Sequence, residues 1–131
     1  MTVEADTQQR RLHFKEAKEG LCNLVAADPQ GRVVAWACLG PLRGDGVRTT
    51  AGELHALYVE PSLTGSGVGR TLLEAVHARA DGLDQMLLWV LTDNSGARRF
   101  YERAGYVTDG AVQTDDYDGV SVPEVRYQRA L

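Results

Sequence analysis

The segment from Glu53 to Ala80 constrains the fold most, because it predicts a strand, a glycine-rich loop and a helix in immediate succession. An apolar run over 54–59 is stopped by Pro61, as is typical of a buried strand. Three glycines follow over 65–69, and the helix is predicted to begin near Gly69 or Arg70. Its apolar stripe comprises Leu72, Leu73, Val76 and Ala80.

A glycine loop that leads into a helix can bind a phosphate, because the first helical N–H groups lack intrahelical partners and carry partial positive charge. A tight turn that needs positive φ is the alternative interpretation. A P-loop is disfavoured, since Arg70 and Thr71 follow the last glycine where Lys and Ser or Thr are required. A dinucleotide-binding fingerprint is disfavoured as well, because five residues separate Val59 from Gly65.

Two sequence blocks resemble the GNAT superfamily of N-acetyltransferases. The first is ELHALYVEP followed by TGSGVG, and the second is NSGARRFYERAGY over 94–106. The family loop usually carries Gln or Arg where this chain has Thr64, but such a loop works mainly through backbone N–H groups. The resemblance covers about residues 21–131, and two motifs at the right separation make it specific.

The resemblance implies a mixed α/β (α+β) fold, with a mostly antiparallel sheet, one parallel strand pair at the cofactor cleft and flanking helices. It implies acetyl-CoA as co-substrate, bound between two strands that splay apart. Main-chain groups of Leu57, Tyr58 and Val59 would meet the pantetheine, with the Val59 N–H at the thioester oxygen, and Asn94 would contact the cofactor. The pyrophosphate would lie on Thr64, Gly65, Ser66, Gly67, Val68, Gly69 and Arg70.

Three residues are candidates for catalysis of acetyl transfer to an amine. Tyr101 matches the family's general-acid tyrosine, and a phenol of ordinary pKa near 10 can donate to a departing thiolate. Glu53 stands where many relatives carry a glutamate thought to act through water. His55, which titrates near neutral pH, lies two residues closer to the cofactor. Strict alternation would place both on one strand face with Leu57 and Val59.

The remaining pattern predicts one domain over 1–131. Helix formers fill 3–19, with Asp6 or Thr7 as N-cap and Gly20 as the stop. A hairpin is predicted over 21–39 around the turn DPQG, and a strand over 85–91 parallel to 53–59. A helix should run over about 95–104. Two final strands are predicted near 106–108 and over the last ten residues.

The composition indicates which binding partners and which cellular location are expected. The net charge of −4 and the pI of about 5.3 disfavour nucleic-acid binding. No apolar run is long enough to span a membrane, and 1–11 lacks a signal-peptide core, so a cytoplasmic location is expected. If Ala27 pairs with Arg32, Cys22 falls opposite Ala37, which disfavours a disulfide to Cys38 and fits a reducing compartment. We expect no metal.

The acceptor is expected to be a small amine or a lysine-like amine. An acidic group between the final strands, Asp115, Asp116 and Asp118, would attract a cation. The family usually opens with a strand and a helix before the segment corresponding to 3–19, which this chain is expected to lack, and a homodimer partner would complete the acceptor wall. Two alternatives stay open: a non-catalytic acyl-CoA-binding regulatory module, and a Rossmann-like nucleotide-binding unit.

Overall fold

A computed structural model describes residues 2–4, 11–16, 22–41 and 50–131, and describes side chains from residue 22 onward. Within these residues the chain forms eight strands and two α-helices. The strands are β1 Thr2–Glu4, β2 Arg11–Glu16, β3 Cys22–Ala27, β4 Val33–Pro41, β5 Ala51–Val59, β6 Gln85–Leu91, β7 Val107–Tyr117 and β8 Val120–Ala130. The helices are α1 Val68–Ala78 and α2 Ser95–Arg103, and a short 3₁₀ turn spans Pro61–Leu63.

The strands form one sheet in the order β1-β2-β3-β4-β5-β6-β8-β7. Among the described strands, β5 and β6 are the parallel pair, and every other pair is antiparallel. The crossover through α1 makes this pair parallel. The predicted fold class is confirmed, and so are the bounds of β6 and the start of α2. Helix α1 begins one residue earlier than expected, with Gly67 as its N-cap.

The N-terminal helix prediction is wrong. Thr2–Glu4 and Arg11–Glu16 are strands, and β2 pairs antiparallel with β3 from Arg11↔Ala27 to Glu16↔Cys22. The edge of β3 offers unpaired backbone groups, and satisfying them outweighs the modest helix propensity of this segment. The proposed caps Asp6 and Thr7 and the stop Gly20 lie outside the described residues.

The β3–β4 hairpin has the predicted turn but a different register. The Gly31 N–H donates to the Asp28 carbonyl at 2.9 Å, the hydrogen bond that commonly closes a four-residue β-turn. Strand pairing begins at Ala27↔Val33, and a bulge next to Ala26 shifts the register further, so Cys22 lies opposite Leu39. Cys38 lies opposite Asn23, and the two cysteines form no disulfide with each other.

Both helices pack on one face of the sheet, where the main apolar core lies. Leu72, Leu73 and Val76 of α1 and Tyr101 of α2 belong to this core. The sheet contributes mainly alternate residues of its strands, together with Val34 at the β3–β4 bulge: Leu24, Ala26, Val34, Ala35, Ala37, Leu39, Leu54, Met86, Leu88, Val90 and Tyr127. The intervening residues form what we call the second face, which includes Trp36, Glu53, Tyr58, Trp89, Glu124 and Arg126.

The C-terminal hairpin is longer than expected, because β7 extends from Val107 to Tyr117 and pairs with β8 to the tip at Tyr117↔Val120. Asp118 and Gly119 form a two-residue turn with φ of 54° and 82°. Positive φ at both central positions is what such turns require, and Asp-Gly is a favoured pair. Asp115 and Asp116 therefore lie on a strand, which corrects the prediction of an acidic loop.

Candidate active site

The parallel strands β5 and β6 stop pairing partway along. Their register runs from Ala51↔Gln85 to Leu54↔Leu88 and ends there. Each strand continues along its outer neighbour, β5 to Ala35↔Val59 and β6 to Leu91↔Glu124. The carboxyl ends of two adjacent strands therefore diverge inside a continuous sheet, and we call the resulting gap the opening. An opening of this kind leaves strand-edge backbone groups available to a ligand.

Backbone hydrogen bonding indicates which groups of β5 face the opening. The Glu60 N–H donates to the Val34 carbonyl at 2.8 Å, on the β4 side. Because successive residues of a strand direct their N–H groups to opposite sides, the Val59 N–H points toward the opening. Leu57, two residues earlier, shares that direction. This orientation is the one that the resemblance implies for contact with a thioester oxygen.

The glycine loop leads directly into the first turn of α1. Gly65 and Gly67 have φ of 85° and 93°, which L side chains rarely adopt. Gly67 is the N-cap and supplies no side-chain acceptor to the first helical N–H groups, and the first turn has no acidic residue. Thr71 Oγ1 donates to the Gly67 carbonyl at 3.0 Å, which fixes the loop to the helix. The helix start is therefore an electropositive site suited to an anion.

Gly69 allows α1 to approach the end of β5. A Cβ there would lie 3.3 Å from Val59 Cγ2 and 3.4 Å from Phe100 Cε1, closer than ordinary contact. A side chain at position 69 would thus force these neighbours to shift by a few tenths of an ångström, whereas Gly65 and Gly67 meet nothing within 4 Å and are favoured by their positive φ. Phe100, which sequence reasoning assigned no role, closes the contact between α1, α2 and the opening. Arg70 is exposed and approaches Glu74 at 3.5 Å.

Tyr101 lies between α2 and the sheet, with 8% of its surface exposed. Its ring makes edge contacts with Phe100 and Tyr106, at centroid distances of 5.1 and 5.7 Å. Burial raises the pKa of Tyr101 to about 12. The phenol therefore keeps its proton at neutral pH and can act there as a hydrogen-bond donor.

A β-bulge at His55 changes the expected placement of the candidate bases. Leu54 pairs with Leu39 and Ala56 with Cys38, so His55 is an extra residue in β5. Leu54, Leu57 and Val59 all pack against the helix-covered core, which strict alternation would forbid. The prediction that Glu53 shares a face with Leu57 and Val59 is therefore wrong.

Glu53 instead belongs to the second face, where it is 1% exposed. In register it lies next to Gly40 and Leu87, below the point at which the opening begins. His55 Nε2 lies 3.0 Å from the Pro41 carbonyl, so this nitrogen carries a proton and donates it. Nδ1 is then the basic nitrogen of neutral His55. Glu53 and His55 lie on either side of Leu54, where the pairing between β5 and β6 ends, so both are near the closed end of the opening.

Asn94 is the N-cap of α2. Its Oδ1 accepts from the Ala97 N–H at 3.0 Å, which supplies an acceptor to the helix start. This bond uses one lone pair of the side-chain oxygen, so the second lone pair and the side-chain nitrogen are the side-chain groups left for a cofactor contact.

A half-buried polar network beside Tyr101 is not predicted from the sequence. His77 on α1 contacts the Tyr106 hydroxyl through Nε2 at 2.7 Å and a guanidinium nitrogen of Arg129 through Nδ1 at 2.8 Å. Desolvation first, and then the charge of Arg129, lowers the pKa of His77 to about 4. These partners of His77 lie 29 and 52 residues away in the sequence, so local patterns do not reveal the contacts.

A second network joins α2 to β8. Arg98 Nε donates to the Tyr127 hydroxyl at 2.9 Å, and that hydroxyl donates to Glu102 at 2.6 Å. Arg98 also donates to the Thr92 carbonyl at 3.1 Å. Because Glu102 is adjacent to Tyr101, this network fixes the helix that carries the candidate acid.

The chain is similar in sequence to known acetyltransferases. The model of the acetyltransferase (GNAT) family matches residues 2–106. A mycothiol acetyltransferase from Kocuria rhizophila is 33% identical over 105 residues, which is 77% of this chain and 34% of the relative. An L-methionine sulfoximine/L-methionine sulfone acetyltransferase from Pseudomonas paraeruginosa is 34% identical over 109 residues, 80% of this chain and 62% of the relative. The chain thus spans about a third of the first relative and under two thirds of the second.

Solved structures agree in fold. A ribosomal-protein-alanine N-acetyltransferase from Brucella melitensis superposes with a TM-score of 0.72 at 26% identity, over 85% of this chain and 69% of the other. Nourseothricin acetyltransferase superposes with a TM-score of 0.72 at 21% identity, over 92% of this chain and 70% of the other. Across the residues that the structure describes, neither α-helix has the length and apolar character needed to cross a bilayer.

Proposed function

Because this chain belongs to the acetyltransferase (GNAT) family, we propose that it transfers an acetyl group from acetyl-CoA to a primary amine. The observation that carries the proposal is the opening between β5 and β6, which lies next to the electropositive start of α1. The opening suits a ligand arm with amide groups, and the helix start suits a pyrophosphate. One elongated ligand with both features fits the two sites together.

The proposed reaction is a direct attack. The neutral amine nitrogen attacks the thioester carbonyl carbon, the C–S bond breaks, and coenzyme A leaves as a thiolate. The Val59 N–H is directed at the carbonyl oxygen and stabilises the charge that develops there. The proton that the amine loses passes to a base at the foot of the opening, Glu53 through water or His55 through Nδ1.

Because Tyr101 is buried, we assign it a more limited catalytic role than the general acid that the family motif implies. A phenol of pKa about 12 is a weaker acid than a thiol of ordinary pKa near 8.5, so complete proton transfer to the thiolate is uphill by about 3–4 pKa units. Tyr101 therefore acts as a hydrogen-bond donor to the sulfur as charge develops. The proton that ends on sulfur is supplied, in net terms, by the attacking amine.

The acceptor is proposed to be a small-molecule amine or a lysine-like amine. The relatives quoted above are named for mycothiol and for methionine sulfoximine or sulfone, which are small molecules. The exposed acidic residues Asp115, Asp116 and Asp118 lie on the part of the β7–β8 hairpin that extends past the end of β6. This position, at the edge toward which the opening widens, supports a cationic acceptor.

Two measurements test the proposal. Calorimetry should detect binding of CoA and acetyl-CoA, and a thiol-release assay with a panel of primary amines should detect turnover with at least one. Tyr101→Phe should lower kcat while the affinity for CoA stays nearly unchanged, because only the hydroxyl is removed. Binding without turnover for every amine would instead favour a non-catalytic acyl-CoA-binding module. Absence of CoA binding would refute the proposal.

A further inference from the structure

Glu124 is a buried carboxylate without a cationic partner in the described part of the chain. It is 6% exposed and lies on the second face, opposite Leu91 at the end of β6. Gln113 Nε2 donates to its Oε1 at 2.8 Å. The Tyr117 hydroxyl lies 3.4 Å from Oε2, which is long for a hydrogen bond to a carboxylate. One carboxylate oxygen is therefore only weakly satisfied.

Asp109, a carboxylate near Glu124, has the cationic partner that Glu124 lacks among the described residues. Asp109 meets Arg126 Nε at 2.6 Å, and the Arg126 guanidinium lies 5.7 Å from the centre of the Trp89 ring. The arginine two positions from Glu124 is thus engaged by Asp109, and none of the salt bridges among the described residues involves Glu124. Burial of a carboxylate is costly unless a cation compensates it. Among the residues that the structure describes, Glu124 thus has a hydrogen-bond partner on each carboxylate oxygen but no positive charge beside it.

The position of Glu124 relates it to the opening. β8 is the strand next to β6 on the side away from β5, and Glu124 is level with Leu91, where the opening is wide. Adjacent strands are about 4.8 Å apart, so Glu124 lies roughly 7–10 Å from the middle of the opening. That is too far to contact a nitrogen reacting there, and near enough to bind a second group of the same molecule.

The opposite side of the opening carries an aromatic wall. Tyr58 and Trp36 are cross-strand partners on the second face, 56% and 39% exposed. Trp36 Nε1 donates to Asn23 Oδ1 at 2.9 Å, which holds the indole ring in place. Exposed aromatic faces bind methylene chains and cations. An acceptor that enters from the second face would therefore pass between this wall and Glu124.

We propose that Glu124, with Gln113 and Tyr117, binds a second cationic nitrogen of the acceptor. This inference rests on the proposed function and narrows its substrate class. The preferred acceptor carries two ammonium groups about 7–10 Å apart, joined by a flexible apolar chain. One nitrogen loses its proton and reacts in the opening, while the other stays charged at Glu124. Glu124 therefore determines specificity and takes no part in acetyl transfer itself.

The test compares α,ω-diamines of three to eight carbons with n-alkylamines of the same length, in the wild-type protein and in Glu124→Gln. In the wild type, kcat/KM for the six- to eight-carbon diamines should exceed that for the matched monoamines at least tenfold. Glu124→Gln should reduce that ratio to about one through KM, with KM for acetyl-CoA unchanged. Asp81→Asn, which removes the same charge from an exposed site after α1, should keep the wild-type ratio.

Ligand-observed NMR with 1,7-diaminoheptane and CoA separates this inference from the proposed function. The diamine should bind the wild type and Asp81→Asn, and Glu124→Gln should weaken that binding at least tenfold. Equal binding to Glu124→Gln and wild type, or no binding to the wild type, would overturn the subsite. Diamine binding that depends on Glu124 without any acetyl transfer would uphold the subsite and count against the proposed reaction.

Discussion

Replacing His77 with Gln should make the protein less sensitive to mild acid. In the native state Arg129 donates to His77 Nδ1, so this nitrogen must present a lone pair. Nε2 then carries the hydrogen and donates it to the Tyr106 hydroxyl. Protonation of Nδ1 would break the Arg129 contact and bring two cations within hydrogen-bond distance. Desolvation of the half-buried ring, and then this repulsion, account for the lowered pKa of His77, about 4.

The direction of the pH effect on stability depends on whether the native or the unfolded state binds more protons. Between pH 6.5 and pH 4 the unfolded chain protonates this histidine and the native state does not. The unfolded state therefore binds more protons in that window, and the free energy of unfolding falls as pH falls. From pH 7 to pH 5 the ceiling is about 2 kcal/mol, from 1.36 kcal/mol per pKa unit. Since the ring is only half-buried, we expect roughly 1 kcal/mol.

Urea unfolding of the wild type and of His77→Gln at pH 7 and pH 5 measures this effect. The other titratable groups are the same in both proteins. The difference between their free energies of unfolding at each pH therefore reports the contribution of His77. The variant should be less stable at pH 7, because it makes poorer hydrogen bonds, and the deficit should shrink by about 1 kcal/mol at pH 5. A deficit that is the same at both pH values, or an NMR titration of His77 with a midpoint near 6.5, would refute the reasoning.

Four further substitutions test the packing and the loop. Gly67→Ala and Gly119→Ala introduce a Cβ at similar positive φ in open space, so each should cost about 1–2 kcal/mol in chemical unfolding. Only Gly67→Ala should also weaken CoA binding in calorimetry, and equal effects on binding would contradict the loop's proposed role. Tyr127→Phe should lower stability by about 1–3 kcal/mol, because a buried hydroxyl with two partners is lost. Leu72→Ala, at a fully buried core position, should cost about 2–5 kcal/mol. A melting temperature within 2 °C of the wild type for either of the last two variants would contradict the described packing.

The sequence predicted best the elements that are specified locally. The continuous apolar run of β6 and the capped helix α2 were located almost to the residue, because length, caps and flanking turns define them. The helix prediction for the N-terminal segment is wrong, although Arg11–Lys15 alternates polar and apolar residues as a strand with one polar face does. Its strand state depends on pairing with β3, a partner that propensity alone does not identify.

The candidate site was predictable in its backbone and less so in its side chains. The direction of the Val59 N–H and the glycine loop follow from motifs that encode main-chain geometry. The face of Glu53 depends on a single extra residue at His55, and an isolated strand pattern does not reveal a bulge. Glu124 gave no signal in the sequence, because its burial and its partners arise only when β7 folds back on β8.

The divergence of β5 and β6 creates an exposed sheet edge in the middle of a folded domain. Such edges can recruit strands from other molecules and lead to aggregation. Here the unpaired stretch is five residues on β5 and three on β6, from the end of the paired register to the last residue of each strand. A typical strand of five to six residues would not fit between both edges in register. The gap therefore admits a short guest with one or two amides, and the Val59 amide should exchange with solvent rapidly until such a guest binds.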